Sequence, residues 1–120
     1  MDNNALYKLT YGLFLLTARE AGKDNGCIIN TAMQVASNPT RISFAVQKTN
    51  LTHDMILRGG ICNISSISTT ADFELFRQFG MQSGRETDKF SDFHGVSRSE
   101  NGVLYLTEHS NMYISAKVTE

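Results

Sequence analysis

Hydrophobic and polar positions change their period several times along the chain, and each change marks an element. Gly12-Leu-Phe-Leu-Leu-Thr-Ala18 is a β-rich run, and the polar segment Ala21-Gly-Lys-Asp-Asn-Gly26 follows it, so a strand and a hairpin turn are expected. A short asparagine-capped helix over residues 3–9 is expected ahead of them. Cys27 to Val35 sets Ile28, Ile29 and Val35 among small polar residues, Asn38-Pro39 interrupts, and Arg41-Ile-Ser-Phe-Ala-Val46 alternates as a half-buried strand does. Three successive strands are therefore expected before residue 47.

Leu51 to Leu57 reads as a short helix: Asn50 or Thr52 can cap it, Leu51 and Met55 share a face, and Gly59-Gly60 can end it. Ile61 to Ile67 returns to strand character. Ala71 to Phe79 carries Phe73, Leu75, Phe76 and Phe79 at helical spacing, with Asp72 and Glu74 in the first turn where they suit the helix dipole. Gly80 to Arg98 is polar and pinned only by Phe90, Phe93 and Val96, so it reads as a long surface loop, and loops of that length tend to be functional. Gly102 to Glu108 and Asn111 to Val118 are two further alternating runs joined by a short turn. The fold class is mainly β with short helices, and no internal repeat is present.

Length and charge narrow the function. A chain of 120 residues, 41% hydrophobic and 19% charged with one proline, is expected to form one folded domain over residues 1–120. Eleven basic and twelve acidic side chains leave a net charge of −1, without the basic stripe that nucleic-acid binding needs. The apolar run around Leu13 to Leu16 is too short to cross a bilayer, and Asp2 stands where a signal peptide would carry positive charge, so no membrane partner and a cytoplasmic location are expected. Cys27 and Cys62 have no ligand-spaced neighbours, so they read as buried thiols in strands and no metal site is expected.

No catalytic constellation of side chains is present: there is no G-x-S-x-G, H-E-x-x-H, P-loop or G-x-G-x-x-G. Three clusters nevertheless carry chemistry. Asn30-Thr-Ala-Met-Gln-Val-Ala-Ser37 places amides and hydroxyls where a packed strand would have Val or Ile, and such groups suit the polar edge of a flat organic ring. Gln47-Lys-Thr-Asn-Leu-Thr-His53 ends a strand and starts a helix, where backbone N–H groups with Lys48 beside them can cradle a phosphate. Phe79-Gly-Met-Gln-Ser-Gly-Arg-Glu-Thr-Asp-Lys-Phe90 turns at Ser83-Gly84 and adds the charges of Arg85 and Lys89. Taken singly, a solvated edge strand, ordinary helix capping and weak surface ion pairs would explain them. The closeness of the first two favours a nucleotide with a ring at one end and a phosphate at the other. His53, His94 and His109 lie apart, without the carboxylate arrangement of a general base, and the methionines and the Phe73, Phe76, Phe79 stripe read as core.

These clusters, in this order, resemble the flavin reductase-like family of FMN-binding split β-barrels, and within it the flavoprotein domain of high-molecular-weight rubredoxins and related flavoredoxins. The resemblance runs from Leu6 to Val118, and its most specific part is the S-G-R-x-x-D-K-F loop. It implies that Asn30, Thr31, Met33, Gln34, Val35 and Ala36 line the flavin ring and ribityl chain, that Lys48, Thr49, Asn50 and Thr52 hold the phosphate, and that Arg85 and Lys89 close the site or meet the phosphate. No side chain is assigned a catalytic role. The implied activity is an FMN-dependent NAD(P)H oxidoreductase, in which NADH or NADPH gives hydride to FMN. Electrons would pass to rubredoxin, another flavoprotein, free flavin or oxygen, and a homodimer is implied. Family members usually continue past Val118 into strands carrying Gly-Asp-His and Gly-x-Val, so a barrel shortened at its C-terminal end is expected. With no four-cysteine segment, a rubredoxin partner would be a separate chain. The alternatives are a non-enzymatic flavin or haem binder that has lost the nicotinamide site, and an interaction module with neither cofactor.

Overall fold

A computed structural model describes residues 12–68, 70–71, 73–85, 88–90 and 93–119. The helix expected over residues 3–9, Asp72 and the Phe73 side chain lie outside that description. β1 (Phe14–Glu20) and β2 (Lys23–Ile29) form a hairpin. Its turn is only Ala21 and Gly22, both at positive φ (50° and 80°), the two-residue form whose twist suits antiparallel strands. Lys23 to Gly26, expected as turn, instead pair with Thr17 to Glu20. The single strand expected from Cys27 to Val35 is divided at Asn30 and Thr31. The chain then returns as β3 (Ala32–Ser37), paired with β4 (Thr40–Phe44) in a separate two-stranded ribbon, so among the described residues four strands precede residue 47.

Helix α1 (Leu51–Gly59) starts and stops on local chemistry. Asn50 is extended and its side chain accepts from the Thr52 N–H at 3.0 Å, while Gly60, at φ 75°, donates its N–H to the Ile56 carbonyl at 2.8 Å. β5 (Ile61–Ser66) pairs antiparallel with β1, and β8 (Tyr113–Lys117) with β5, giving a four-stranded sheet in the order β2-β1-β5-β8.

β1 is buried on both faces, which is why Phe14 to Ala18 is nearly continuously apolar instead of alternating. On one face Leu16 and Ala18 join Cys27, Ile29, Cys62 and Ile64 under Met55 and Ile56 of α1. On the other, Leu15 packs with Leu75 and Phe79 of α2 (Phe73–Gly80) and with Leu106. Phe79 centres an aromatic group, its ring 4.9 Å from Phe90 and 5.0 Å from Phe93.

Residues 80–98 are less loop-like than their composition suggests, because Gly84, Lys89 and Gly95 are buried and Val96–Arg98 forms strand β6. β6 pairs with β7 (Leu104–Leu106), and β8 pairs with β5, so the two last alternating runs are not a hairpin with each other. Polar groups hold the β6–β7 ribbon on the sheet. Thr17 Oγ1 donates to the Leu104 carbonyl at 2.6 Å, Asn63 Nδ2 to the Val103 carbonyl at 3.0 Å, and the Leu106 N–H donates to Ser65 Oγ at 3.1 Å.

Ion pairs fasten the rim. Arg58 pairs with Glu20, and Asp24 accepts from both Arg98 and Arg19. Partial burial raises the Asp24 carboxyl, but its hydrogen bonds to Arg98 and Arg19 outweigh this and hold it below the usual carboxylate range. A carboxyl lowered on folding contributes stability above its unfolded pKa of about 3.9, and that contribution is lost as pH falls through the folded value. Asp24→Asn is therefore expected to flatten the decline in melting temperature between about pH 5 and pH 2. An acid limb as steep as that of the parent chain would contradict it.

Candidate functional site

Where β2 ends and α1 begins, the chain forms an open cavity of about 500 Å³, with Ile29, Asn30, Gln47, Asn50, Phe79 and Gln82 among its lining residues. That volume lies in the range of sites for small organic ligands, and its wall mixes apolar surface with convergent amides. The first and second clusters thus meet in one space at Asn30 and Asn50. At its α1 end, the N–H groups of Asn50, Thr52 and His53 are already used, by the Gln47 carbonyl, Asn50 Oδ1 and the Asn50 carbonyl. Among the described residues, those of Lys48, Thr49 and Leu51 have no partner. Three unpaired donors at a helix N-terminus, with Lys48 and Thr49 exposed beside them, are the elements of an anion cradle.

The remaining expected residues divide into two groups. Thr31 is half-buried, and Met33, Gln34 and Val35 are exposed on β3, where the register shifts between Gln34 and Ala36. Val35 faces a larger groove of about 830 Å³ between the β3–β4 ribbon and the β5–β8 edge, with Phe44, Ile56, Ile64 and Ile114 in its wall. Met33, Gln34 and Ala36 line neither space, so the structure joins only part of the first cluster to the cavity. Thr52 differs from its expected place at the phosphate. It is wholly buried, and its hydroxyl accepts from Asn25 Nδ2 at 2.9 Å, so it supports the helix start from beneath.

Arg85 and Lys89 are also placed differently from a pair of exposed phosphate ligands. Arg85 is spent on Asp54 in the first turn of α1, and Asp54 also meets His53 Nδ1 at 3.0 Å. Hydrogen bonds from His53 and then Arg85 hold the Asp54 carboxyl below the usual range. His53 therefore has a carboxylate partner in its chain neighbour Asp54, which Arg85 also engages. Lys89 is 1% exposed, and its Nζ donates to the carbonyls of Gly26 (2.8 Å) and Phe79 (3.0 Å). Burial pushes its ammonium down. Lys23 Nζ reaches the Gly84 carbonyl at 3.0 Å, so residues 83–90 are strapped to β2 and α1.

Sequence reasoning missed Asn25, Gln47 and Gln82. Gln47 and Gln82 lie inside quoted motifs, but no period distinguishes a lining amide from a solvated one. Neither cysteine is set up for chemistry. Burial pushes Cys62 up to about 11, and it raises Cys27 against the opposing hydrogen bond from Thr52 and charge of Lys89. Among the described residues there is no cluster of metal-ligating side chains, and no helix long and apolar enough to cross a membrane.

The family model described as the flavin reductase like domain matches residues 6–120. The chain belongs to that family. It is similar over its whole length to the high molecular weight rubredoxin of Moorella thermoacetica, at 39% identity over 120 residues, and covers 52% of that protein. It is 33% identical over 122 residues to the ferric-chelate reductase (NAD(P)H) of Archaeoglobus fulgidus, covering 70% of it. A crystal structure of an FMN-binding protein from Thermus thermophilus superposes with a TM-score of 0.82 at 20% identity, covering 95% of this chain and 62% of that one. The chain thus spans about half the length of the rubredoxin relative. The mainly β fold with two short described helices is that of the FMN-binding split barrels, as expected from the motifs. As a flavin reductase-like domain, it sets its most specific loop, residues 79–90, against α1 and β2 beside the cavity.

Proposed function

We propose that this flavin reductase-like domain binds FMN in the cavity between β2 and α1 and works as an FMN-dependent NAD(P)H oxidoreductase. The observation that carries this reading is that Asn30, Gln47 and Asn50 line one cavity, and that Lys48, Thr49 and Leu51, whose N–H groups have no partner among the described residues, adjoin Gln47 and Asn50 in the chain. Asn30, Gln47 and Gln82, which line that cavity, would offer hydrogen bonds to the polar edge of the ring, with Ile29 and Phe79 as its apolar neighbours. Lys48, Thr49 and Asn50 would hold the phosphate, with Thr52 and Arg85 fixing the helix start that presents those groups.

Bound there, FMN would supply the redox chemistry, accepting hydride from NADH or NADPH and passing electrons on. The protein's own part is to hold the ring by its edge and to offer donors where negative charge develops on reduction, which requires no general base. The name of the ferric-chelate reductase relative supports a nicotinamide donor and that of the rubredoxin relative supports rubredoxin as acceptor, with another flavoprotein, free flavin or oxygen as the alternatives of the proposal. A homodimer is part of the proposal, since symmetric pairs are the commonest assemblies.

Titration of the purified chain with FMN and with riboflavin, followed by flavin fluorescence, tests the site. One FMN per chain and a marked preference for FMN are expected. Lys48→Met should weaken FMN about tenfold and riboflavin little, because it removes a charge near the phosphate. Equal affinity for both flavins, or binding of neither, would overturn the assignment.

A further inference from the structure

Two strand edges are open among the described residues, and both border the larger groove. β8 ends the four-stranded sheet, β4 pairs only with β3, and residues 40–44 and 114–117 line the groove without a gap. In the β5–β8 register Ile114 and Ala116 stand opposite Ile64 and Cys62, and Val118 donates to the Gly60 carbonyl at 2.8 Å. Hydrogen bonding alternates along an antiparallel ladder, so Tyr113, Ser115 and Lys117 turn their N–H and C=O groups away from β5. On β4 the same alternation, set by the Ala45 N–H and the Thr31 carbonyl, turns Ile42 and Phe44 outward. Such an edge is a template for another extended chain.

We infer that this groove docks a single extended segment of a partner protein, one that alternates apolar and acidic residues and adds itself as a strand along β8. Strand edges bound the groove on both sides, and Arg41 Nη1 reaches Thr119 Oγ1 at 3.3 Å across one end. One strand therefore fits, whereas the edge of a folded sheet, including that of a second copy, would bring a second strand with it. The alternation follows that of β8 itself. Ile114 and Ala116 are half-buried among Ile56 and Ile64 of the groove wall, so the added residues on that face are apolar; Leu57 and Val35, each 57% exposed, are the apolar surface left for them. Lys117 stands on the opposite, exposed face, where an acidic neighbour on the added strand is favoured. Arg41 and Lys117 are the charged side chains of the described lining, neither enters an ion pair among the described residues, and no carboxylate joins them. Val46 lines both this groove and the smaller cavity, so a docked segment lies beside the latter.

A fluorescein-labelled peptide of sequence Glu-Val-Glu-Val-Glu-Val-Glu tests this by anisotropy on the parent chain, beside the same peptide with Lys for each Glu and with Pro for the central Val. The acidic peptide is expected to bind about tenfold more tightly than the lysine peptide, and the proline peptide to lose its binding. Arg41→Glu combined with Lys117→Glu, both at exposed positions, should reverse the charge preference at an unchanged melting temperature. Amide hydrogen exchange places the contact: the N–H groups of Tyr113, Ser115 and Lys117 should slow on binding, while those of Ile114 and Ala116, already paired with β5, stay as they were. Equal binding of the acidic and lysine peptides, binding of neither, or binding that leaves those three amides unprotected would overturn the inference. So would a parent chain that dimerises with the three amides already protected, because a second copy would then hold the edge.

Discussion

Asn63→Ala is expected to lower the unfolding free energy by about 2–4 kcal/mol, among the largest effects of any single replacement in this chain. Asn63 lies on the central part of the sheet and is wholly buried. Its Nδ2 donates to Ser99 Oγ at 2.9 Å and to the Val103 carbonyl at 3.0 Å, while its Oδ1 accepts from Asn101 Nδ2 at 3.1 Å. Alanine leaves several of these partners buried without a replacement and opens a cavity beside Thr17, whose hydroxyl serves the same ribbon. The check is a denaturant midpoint with an unchanged slope. A loss below about 1 kcal/mol would mean that apolar contact, not this network, holds the β6–β7 ribbon.

Gly84→Val is expected to destabilise the fold by about 1–3 kcal/mol and to weaken FMN binding at the same time. A Cβ at Gly84 would lie within 2.6 Å of Asn25 Cγ and Nδ2, and closer still to Oδ1. Asn25 cannot move aside cheaply, since it is 1% exposed and its Nδ2 is held by Thr52. Displacing it disturbs the start of α1, where the phosphate cradle is proposed. Gly84 is thus required by close approach and not by its backbone angles. Melting temperature and FMN affinity measured on one preparation decide the matter. A variant as stable as the parent would contradict the packing described.

Much of this was legible in the residues. α1 could be read because Asn50 and Gly60 are local start and stop signals that act within a few residues. β5 and α2 could be read from their periods, and β1 from an apolar run of strand length. What could not be read depends on partners distant in sequence. The docking of the β6–β7 ribbon on the sheet is held by Asn63, Thr17 and Ser65, polar residues of two strands whose purpose is visible only once the ribbon lies on them. Lys89 looks like any charged loop residue until Phe90 and Phe93 enter the core and draw it under β2. The cavity-lining positions Asn30 and Asn50 were legible, because a strand end and a helix start are local. The site was less so at Thr52 and Arg85, whose neighbours Asn25 and Asp54 absorb the groups the motif suggested for a ligand.

The central claim, that this domain carries FMN and reduces it with a nicotinamide, is tested most directly by an anaerobic visible spectrum of the FMN-loaded chain before and after NADH, then NADPH. Bleaching of the flavin band by at least one of them, and its return on admitting oxygen, is the expected result. A chain that retains FMN yet stays fully yellow with both donors would contradict it.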